Sequence, residues 1–130
     1  MTETAFRRLW TGAVLGLAVF IVYASLSPQP PLPSEILSDK AGHYLAYLSL
    51  ALLGSGITTP DRLRFTLLRC FLLGAALEIA QAFFTEHRIA EWGDLAADVA
   101  GILTAWLVAS QGRAGWGLRA ANWLKRKRTS

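Results

Sequence analysis

The sequence predicts an all-α membrane protein, with a four-helix transmembrane bundle over residues 1–112 and a basic amphipathic tail over residues 113–130. Three observations lead to this fold class. Hydrophobic residues make up 53% of the 130 residues, and the mean hydropathy of +0.36 is high for a soluble domain of this size. Four apolar stretches alternate with proline or charge signals. The basic residues gather at the chain ends and in one loop, which argues against a nucleic-acid partner despite the net charge of +4.

The first two apolar stretches predict helices over residues 9–26 and 41–57. The first contains no charged residue, is long enough to span a bilayer and is followed by a proline-rich segment. A secretory signal peptide is the alternative for residues 1–26. The apolar run is longer than a usual signal h-region, so we expect a retained helix. The second stretch ends where Pro60 and neighbouring charges break the pattern.

The other two stretches predict helices over residues 65–84 and 95–110. The third is long enough to span and carries Arg69 near its start and Glu78 in its interior. The fourth is the shortest of the four, about 16 residues or roughly 24 Å, and it contains Asp98. In the tail, a projected helix separates an apolar side from a basic one, which predicts a helix lying on anionic cytoplasmic lipid, with a solvated retention tail as the alternative. The apolar side holds Trp116, Ala120, Trp123 and Leu124, and the polar side holds Arg119, Asn122, Lys125 and Arg126.

Charge distribution predicts the orientation. Four spans put both termini on one side, together with 11 of the 13 Lys and Arg residues, and leave Lys40 and Arg88 on the other. By the positive-inside rule, we expect a multi-pass protein of the inner (cytoplasmic) membrane with both termini in the cytoplasm. The acidic residues show the reverse bias, so any chemistry should face outward. The outward acidic residues are Glu35, Asp39, Glu78, Glu86, Glu91, Asp94 and Asp98.

Polar residues at helical spacing predict one pocket at the outer helix ends. His43 lies one turn, about 6 Å, below Asp39 on the same face of its helix. His43, Glu78 and Asp98 lie within about one helical turn of each other in depth, so we expect these three side chains to converge. Ionisable residues inside a membrane normally face a partner or water. The stripes that line the pocket also include Tyr47, Gly74, Gln81, Thr85, Asp94 and Gly101.

These residues resemble the VanZ-like family of small integral membrane proteins. The family's recurring elements are D-K-x-x-H, E-x-x-Q, an arginine in the outer loop, and an Asp followed by D/N-x-x-G. Many members have Asn where this chain has Asp98, which adds an acid here. The resemblance covers about residues 25–110. The matching positions are Asp39, Lys40, His43, Glu78, Gln81, Arg88, Asp94, Asp98 and Gly101.

The resemblance implies a role in the bacterial envelope, because the founding member is associated with resistance to the glycopeptide teicoplanin. We expect an outward pocket that binds an anionic envelope lipid or contributes to such resistance. Lys40 and Arg88 would take a phosphate or carboxylate while the acids hold the cations in place. The ligand-binding candidates are Asp39, Lys40, Gln81, Arg88, Asp94 and Asp98. Structural roles stay open for several of them: helix caps for Asp39 and Asp94, and an interhelical hydrogen bond for Gln81.

Two other functions stay open. One is an enzyme acting on a lipid-linked phosphate or sugar, with His43 and Glu78 as candidate catalytic acid and base. The other is a small transporter, which would have to oligomerise to enclose a path. A divalent metal on His43, Glu78 and Asp98 is compatible with the enzyme, but neither H-x-x-x-H nor H-E-x-x-H occurs, so no metal or other cofactor is predicted. The expected partners are membrane lipids and a lipid-linked or glycopeptide ligand, with a homo-oligomer left open.

Overall fold

The computed structural model describes residues 1–28, 33, 38–86 and 90–129, and these residues form an all-helical protein. The predicted α class is confirmed, since no strand occurs in the described ranges. Arg88 and Glu35 lie outside them. The helices are α1 (Glu3–Leu26), α2 (Asp39–Ser55), α3 (Leu63–Phe84, entered through a 3₁₀ turn at Pro60–Arg62), α4 (Trp92–Ser110) and α5 (Trp116–Thr129).

The first four helices begin before the apolar stretches that predict them. Thr2 and Ser38 cap α1 and α2, each side chain accepting a hydrogen bond of 3.2 Å from a backbone N–H in the first turn. Capping residues and first-turn acids are polar, so hydropathy leaves them out although they are helical. α2 therefore begins at Asp39 instead of residue 41, and it ends at Ser55, two residues before the predicted end.

Among the described residues, three helical segments are long and apolar enough to cross a membrane. They are Glu3–Leu26, Pro60–Phe84 and Trp92–Ser110, with mean hydropathies of 2.0, 1.6 and 1.3. The fourth predicted span is longer than the sequence indicates, because its helix extends to 19 residues. α2 is instead the shortest of the first four helices, with 17 residues or about 26 Å.

The closest packing in the molecule is between α2 and α4. Gly101 on α4 lies directly against the α2 backbone, so that a Cβ added there would meet the Tyr44 carbonyl oxygen and the Leu48 nitrogen. Ala51 on α2 and Ala105 on α4 are both fully buried in the core. α3 packs against both α2 and α4, and α1 packs against α2 and α3. The absence of a side chain at Gly101 thus allows the close approach of α4 to α2.

At one end of the packed helices, which we call the basic end, the start of α1 meets the end of α2 and the start of α5. Trp10 Nε1 donates to the Leu53 carbonyl at 2.8 Å, and the Trp10 ring packs edge-on against Trp116 at 5.1 Å. The Gly115 N–H donates to the Ser55 carbonyl at 2.8 Å, with Gly115 at a φ of 74°. α5 is therefore fastened to the other helices through its first turn.

Candidate functional site

The opposite end, which we call the polar end, is centred on His43. His43 lies in the second turn of α2, and its Nδ1 is 2.8 Å from Asp98 Oδ1 on α4. Its Nε2 is 3.8 Å from Asp94 Oδ2. Asp94 and Asp98 are four residues apart and so lie on one face of α4. The imidazole is held between these carboxylates with only 10% of its side chain exposed.

Glu78 reaches the same place from α3. It is buried, and its Oε2 accepts a hydrogen bond of 3.2 Å from the Glu91 backbone N–H at the start of α4. Ligand atoms of His43, Glu78 and Asp98 all lie within 4.8 Å of one another. The structure thus brings together the three residues that the sequence places at similar depth. The acid hydrogen-bonded to His43 is Asp98. The sequence instead suggests Glu78 as the acid–base partner of His43.

Lys40 occupies the rim of the polar end. Its Nζ is 3.0 Å from Glu91 Oε2 and 3.6 Å from Asp94 Oδ1, and its side chain is 60% exposed. Gly93 leaves room for it, because a Cβ there would lie 2.7 Å from Lys40 Cε. The sequence places Glu91 on the outer side, before the apolar stretch of α4, but it does not indicate the contact of Glu91 with Lys40. Arg88, the other predicted cation, lies outside the described residues.

Asp39 lies at the exposed start of α2, near His43 and Asp94. One ligand atom from each of these three residues lies within 4.8 Å of the other two. Asp39 and Asp94 both fall in the first turn of their helices, where a carboxylate is favoured by the unpaired N–H groups and the helix dipole. His43 is therefore shared by two groups of acids, one at the rim in which Asp39 is exposed and Asp94 is buried, and one formed by the buried Glu78 and Asp98.

Gln81 is turned away from His43. Its side-chain Nε2 donates to the Ser25 carbonyl at the end of α1, at 2.8 Å, and its backbone carbonyl accepts from the Thr85 hydroxyl. This is the interhelical bond that the sequence left open as a structural role. It fastens α1 to α3 in the last turns of both helices, at the polar end.

Tyr47 and Gly74 border the buried group, and the sequence placed both on its polar stripes without giving either a role. Tyr47 is 2% exposed, and its hydroxyl has no hydrogen-bond partner among the described residues. A Cβ added to Gly74 would lie 2.9 Å from Asp98 Oδ2 and 3.3 Å from Tyr47 Cζ. Gly74 therefore provides the space in which the Asp98 carboxylate and the Tyr47 ring meet.

The charges of the polar end are unbalanced. Around His43 and Lys40, the described residues place one histidine and one lysine against five carboxyl groups, which belong to Asp39, Glu78, Glu91, Asp94 and Asp98. Such a concentration of acids attracts cations. Two chemical uses fit the geometry. A histidine oriented by a carboxylate can transfer a proton, and an imidazole among carboxylates can hold a metal ion.

Comparison with protein-family models, with curated proteins and with solved structures gives no match for this chain. The likeness to VanZ-like proteins therefore rests on the nine positions identified in the sequence. The function has to be inferred from the polar end and from the helices that place it.

Proposed function

We propose that the chain is a VanZ-like multi-pass protein of the bacterial inner membrane. In this proposal α1–α4 are four spans and α5 is a basic tail on the cytoplasmic surface. The three long apolar segments support it, and α2 supports it by packing among them. α5 fits an interfacial helix, because its start is fastened to the basic end while Trp123 and Leu124 remain more than half exposed.

The distribution of basic residues supports an orientation with both termini in the cytoplasm. Arg7, Arg62 and Arg64 lie at the basic end, and the arginines and lysines of α5 follow it. At the polar end Lys40 is the one Lys or Arg within the described ranges. The positive-inside rule then directs the polar end outward.

Reporter fusions test this topology. Reporters placed after Ser110 and within residues 58–64 should behave as cytoplasmic, and reporters within residues 28–34 and 85–93 as external. An external carboxyl terminus would overturn the orientation and would turn the polar end toward the cytoplasm.

We propose further that the polar end binds the anionic head group of an envelope lipid at its rim, with Lys40 as the first contact. The observation that carries this proposal is the lysine itself. Its ammonium is exposed, yet Glu91 and Asp94 fix it at the helix ends, where lipid head groups lie in the proposed topology. The excess of acids below would repel a phosphate from the deeper part of the polar end and so confine it to the rim. A contribution to glycopeptide (teicoplanin-type) resistance rests on the family resemblance.

A second candidate is an enzyme acting on a lipid-linked phosphate or sugar, and the bond between His43 and Asp98 favours it. The carboxylate at 2.8 Å orients the imidazole, as expected of a general acid or base, while Glu78 lies within reach of the same space. In this case His43 and Asp98 form the working pair, and Glu78 is an additional acid.

Binding and turnover separate the two candidates. The probe is phosphatidic acid, a phosphate monoester lipid, offered to the purified protein in detergent, with phosphatidylcholine as the control. Lys40→Gln should weaken phosphatidic acid binding and Lys40→Arg should preserve it, with the difference shrinking as salt screens the rim. Equal binding by Lys40→Gln would contradict the proposed contact.

The enzyme is tested with the same lipid and the variant His43→Gln. If the polar end only binds, no phosphate or other product should appear with the wild type, and His43→Gln should bind nearly as well. Product formed by the wild type and lost in His43→Gln would establish the enzyme in place of the binding module.

A further inference from the structure

We propose that the polar end contains a divalent metal site formed by His43, Glu78 and Asp98. The three residues come from α2, α3 and α4, and a ligand atom from each lies within 4.8 Å of the others. The site is distinct from the lipid contact at Lys40, because Glu78 and Asp98 are buried while Lys40 is exposed.

The geometry fits a metal after small movements. Metal bonds to nitrogen and oxygen of about 2.0–2.2 Å place neighbouring ligand atoms roughly 3–3.5 Å apart. His43 Nδ1 and Asp98 Oδ1, at 2.8 Å, are already near that separation. Glu78 has to close by about 1–2 Å at most, which rotation of its side chain supplies. Within the described ranges, the hydrogen bond that holds the Glu78 carboxylate comes from the Glu91 N–H.

The surroundings of His43 also fit a metal ligand. A ligating histidine usually donates its second ring N–H to a carboxylate, which fixes the orientation of the ring. With Nδ1 on the metal, Nε2 faces Asp94 Oδ2 at 3.8 Å. Asp94 then takes the orienting role, and its carboxylate remains linked to Lys40 at the rim.

An independent observation comes from Tyr47. Its hydroxyl is buried and has no hydrogen-bond partner in the described part of the chain, which costs about 1–3 kcal/mol for a polar group. The ring carbon that carries this hydroxyl borders the space above Gly74 together with Asp98 Oδ2. A water molecule bound to the metal would donate the missing hydrogen bond to the Tyr47 hydroxyl there.

Charge balance points the same way. Among the described residues no Lys or Arg forms an ion pair with Glu78 or Asp98, and His43 is the one partner of Asp98 that can carry positive charge. Buried carboxylates are costly unless they are paired or coordinate a metal. A dication would offset both acids at once.

The ligand set indicates the class of metal. One imidazole and two carboxylates suit first-row divalent ions such as Zn²⁺, whereas Mg²⁺ and Ca²⁺ prefer oxygen ligands alone. No short sequence motif predicts the site, because its ligands come from three different helices. The metal site does not depend on the lipid proposal, because Zn²⁺ binding is measured in the absence of lipid.

The test uses untagged full-length protein in detergent, freed of metal with a chelator and titrated with Zn²⁺ by calorimetry. We expect one Zn²⁺ per chain. Glu78→Gln and Asp98→Asn should lower the affinity by at least about 10- to 100-fold, the loss seen even when an orienting partner is removed. Mg²⁺ should compete poorly.

Asp39→Asn is the matched control. It removes one negative charge from the rim, where Asp39 is the exposed member of the group with His43 and Asp94, and it should change Zn²⁺ affinity little because Asp39 is not one of the three proposed ligands. Loss of binding in Asp39→Asn with retention in Glu78→Gln would overturn the proposed ligand set in favour of the rim. Equal losses in all three variants would indicate diffuse attraction by acids and would also overturn it.

X-ray absorption of the wild-type protein keeps the proposal testable if Glu78→Gln fails to fold. The Zn²⁺ shell should contain one imidazole nitrogen, with oxygen ligands at about 2.0–2.2 Å. A shell made of oxygen alone would overturn the site, as would the absence of stoichiometric binding.

Discussion

Replacing Gly101 with alanine should loosen the contact between α2 and α4 that places His43 beside Asp98. The new Cβ would lie 2.8 Å from the Leu48 nitrogen, against 3.4 Å for an ordinary contact, so α2 must retreat by at least 0.6 Å. The atoms it meets, from Tyr44 and Leu48, all belong to the α2 backbone and cannot rotate away. A gap of 0.5–1 Å forfeits about a quarter to a half of each dispersion contact elsewhere in the interface. We expect an overpacking cost of about 1–3 kcal/mol.

Gly12→Ala on α1 is the matched control, because a Cβ at Gly12 has nothing within 4 Å. Both substitutions share the gain of about 1 kcal/mol in helix propensity, so the difference between them isolates the packing cost. The assay is unfolding of the purified variants in mixed detergent micelles, followed by tryptophan fluorescence. Equal free energies of unfolding for the two variants would refute the close approach of α2 and α4.

Three further perturbations follow from single contacts. Gly74→Ala should reduce Zn²⁺ affinity with little loss of stability, because the new Cβ would displace the Asp98 carboxylate; calorimetry would measure this, and unchanged affinity would contradict the placement. Gln81→Leu should cost about 1–3 kcal/mol of unfolding free energy, because it leaves the buried Ser25 carbonyl unpaired. Trp10→Phe should cost about 0.5–1.5 kcal/mol for its lost hydrogen bond; a smaller loss in either unfolding series would indicate that water replaces that bond.

Hydropathy could predict where the helices end but less well where they begin. The ends of α1, α3 and α4 coincide with the ends of the apolar stretches, since proline, glycine or polar segments follow them. Their starts lie earlier, because first turns are built from polar residues such as Glu3 and Asp94. For this reason α4 begins three residues before the predicted start at residue 95, and α2, not α4, is the shortest of the first four helices.

Counting helical turns could predict that His43, Glu78 and Asp98 lie at one level. It could not predict which acid bonds the histidine, because that depends on how the helices are arranged around one another. Gly101 brings α4 closest to α2, so Asp98 takes the place that the sequence gives to Glu78. Lys40 likewise pairs with Glu91, whose position depends on the turn before α4.

The contacts at the basic end had no signal in the sequence. The N–H groups of Gly115 and Gly117 donate to backbone carbonyls at the end of α2. Glycine is favoured at both positions, since Gly115 has a φ of 74° and a Cβ at Gly117 would lie 2.9 Å from the Trp10 ring, but neither glycine identifies its partner in the sequence. The aromatic contact of Trp10 with Trp116 joins residues more than a hundred positions apart. Amphipathic spacing predicts the tail helix, but it cannot predict where that helix is fastened.

The shortness of α2 has a consequence for the bilayer. Its length of about 26 Å falls short of the roughly 30 Å of a typical hydrocarbon core, while α1, with 24 residues, reaches about 36 Å. If α2 spans, this hydrophobic mismatch has to be met at its polar start, by local thinning of the membrane or by entry of head groups and water. Lipids with shorter acyl chains should therefore favour access to His43, and the thickness of the host membrane becomes a variable that sets how readily the site is reached.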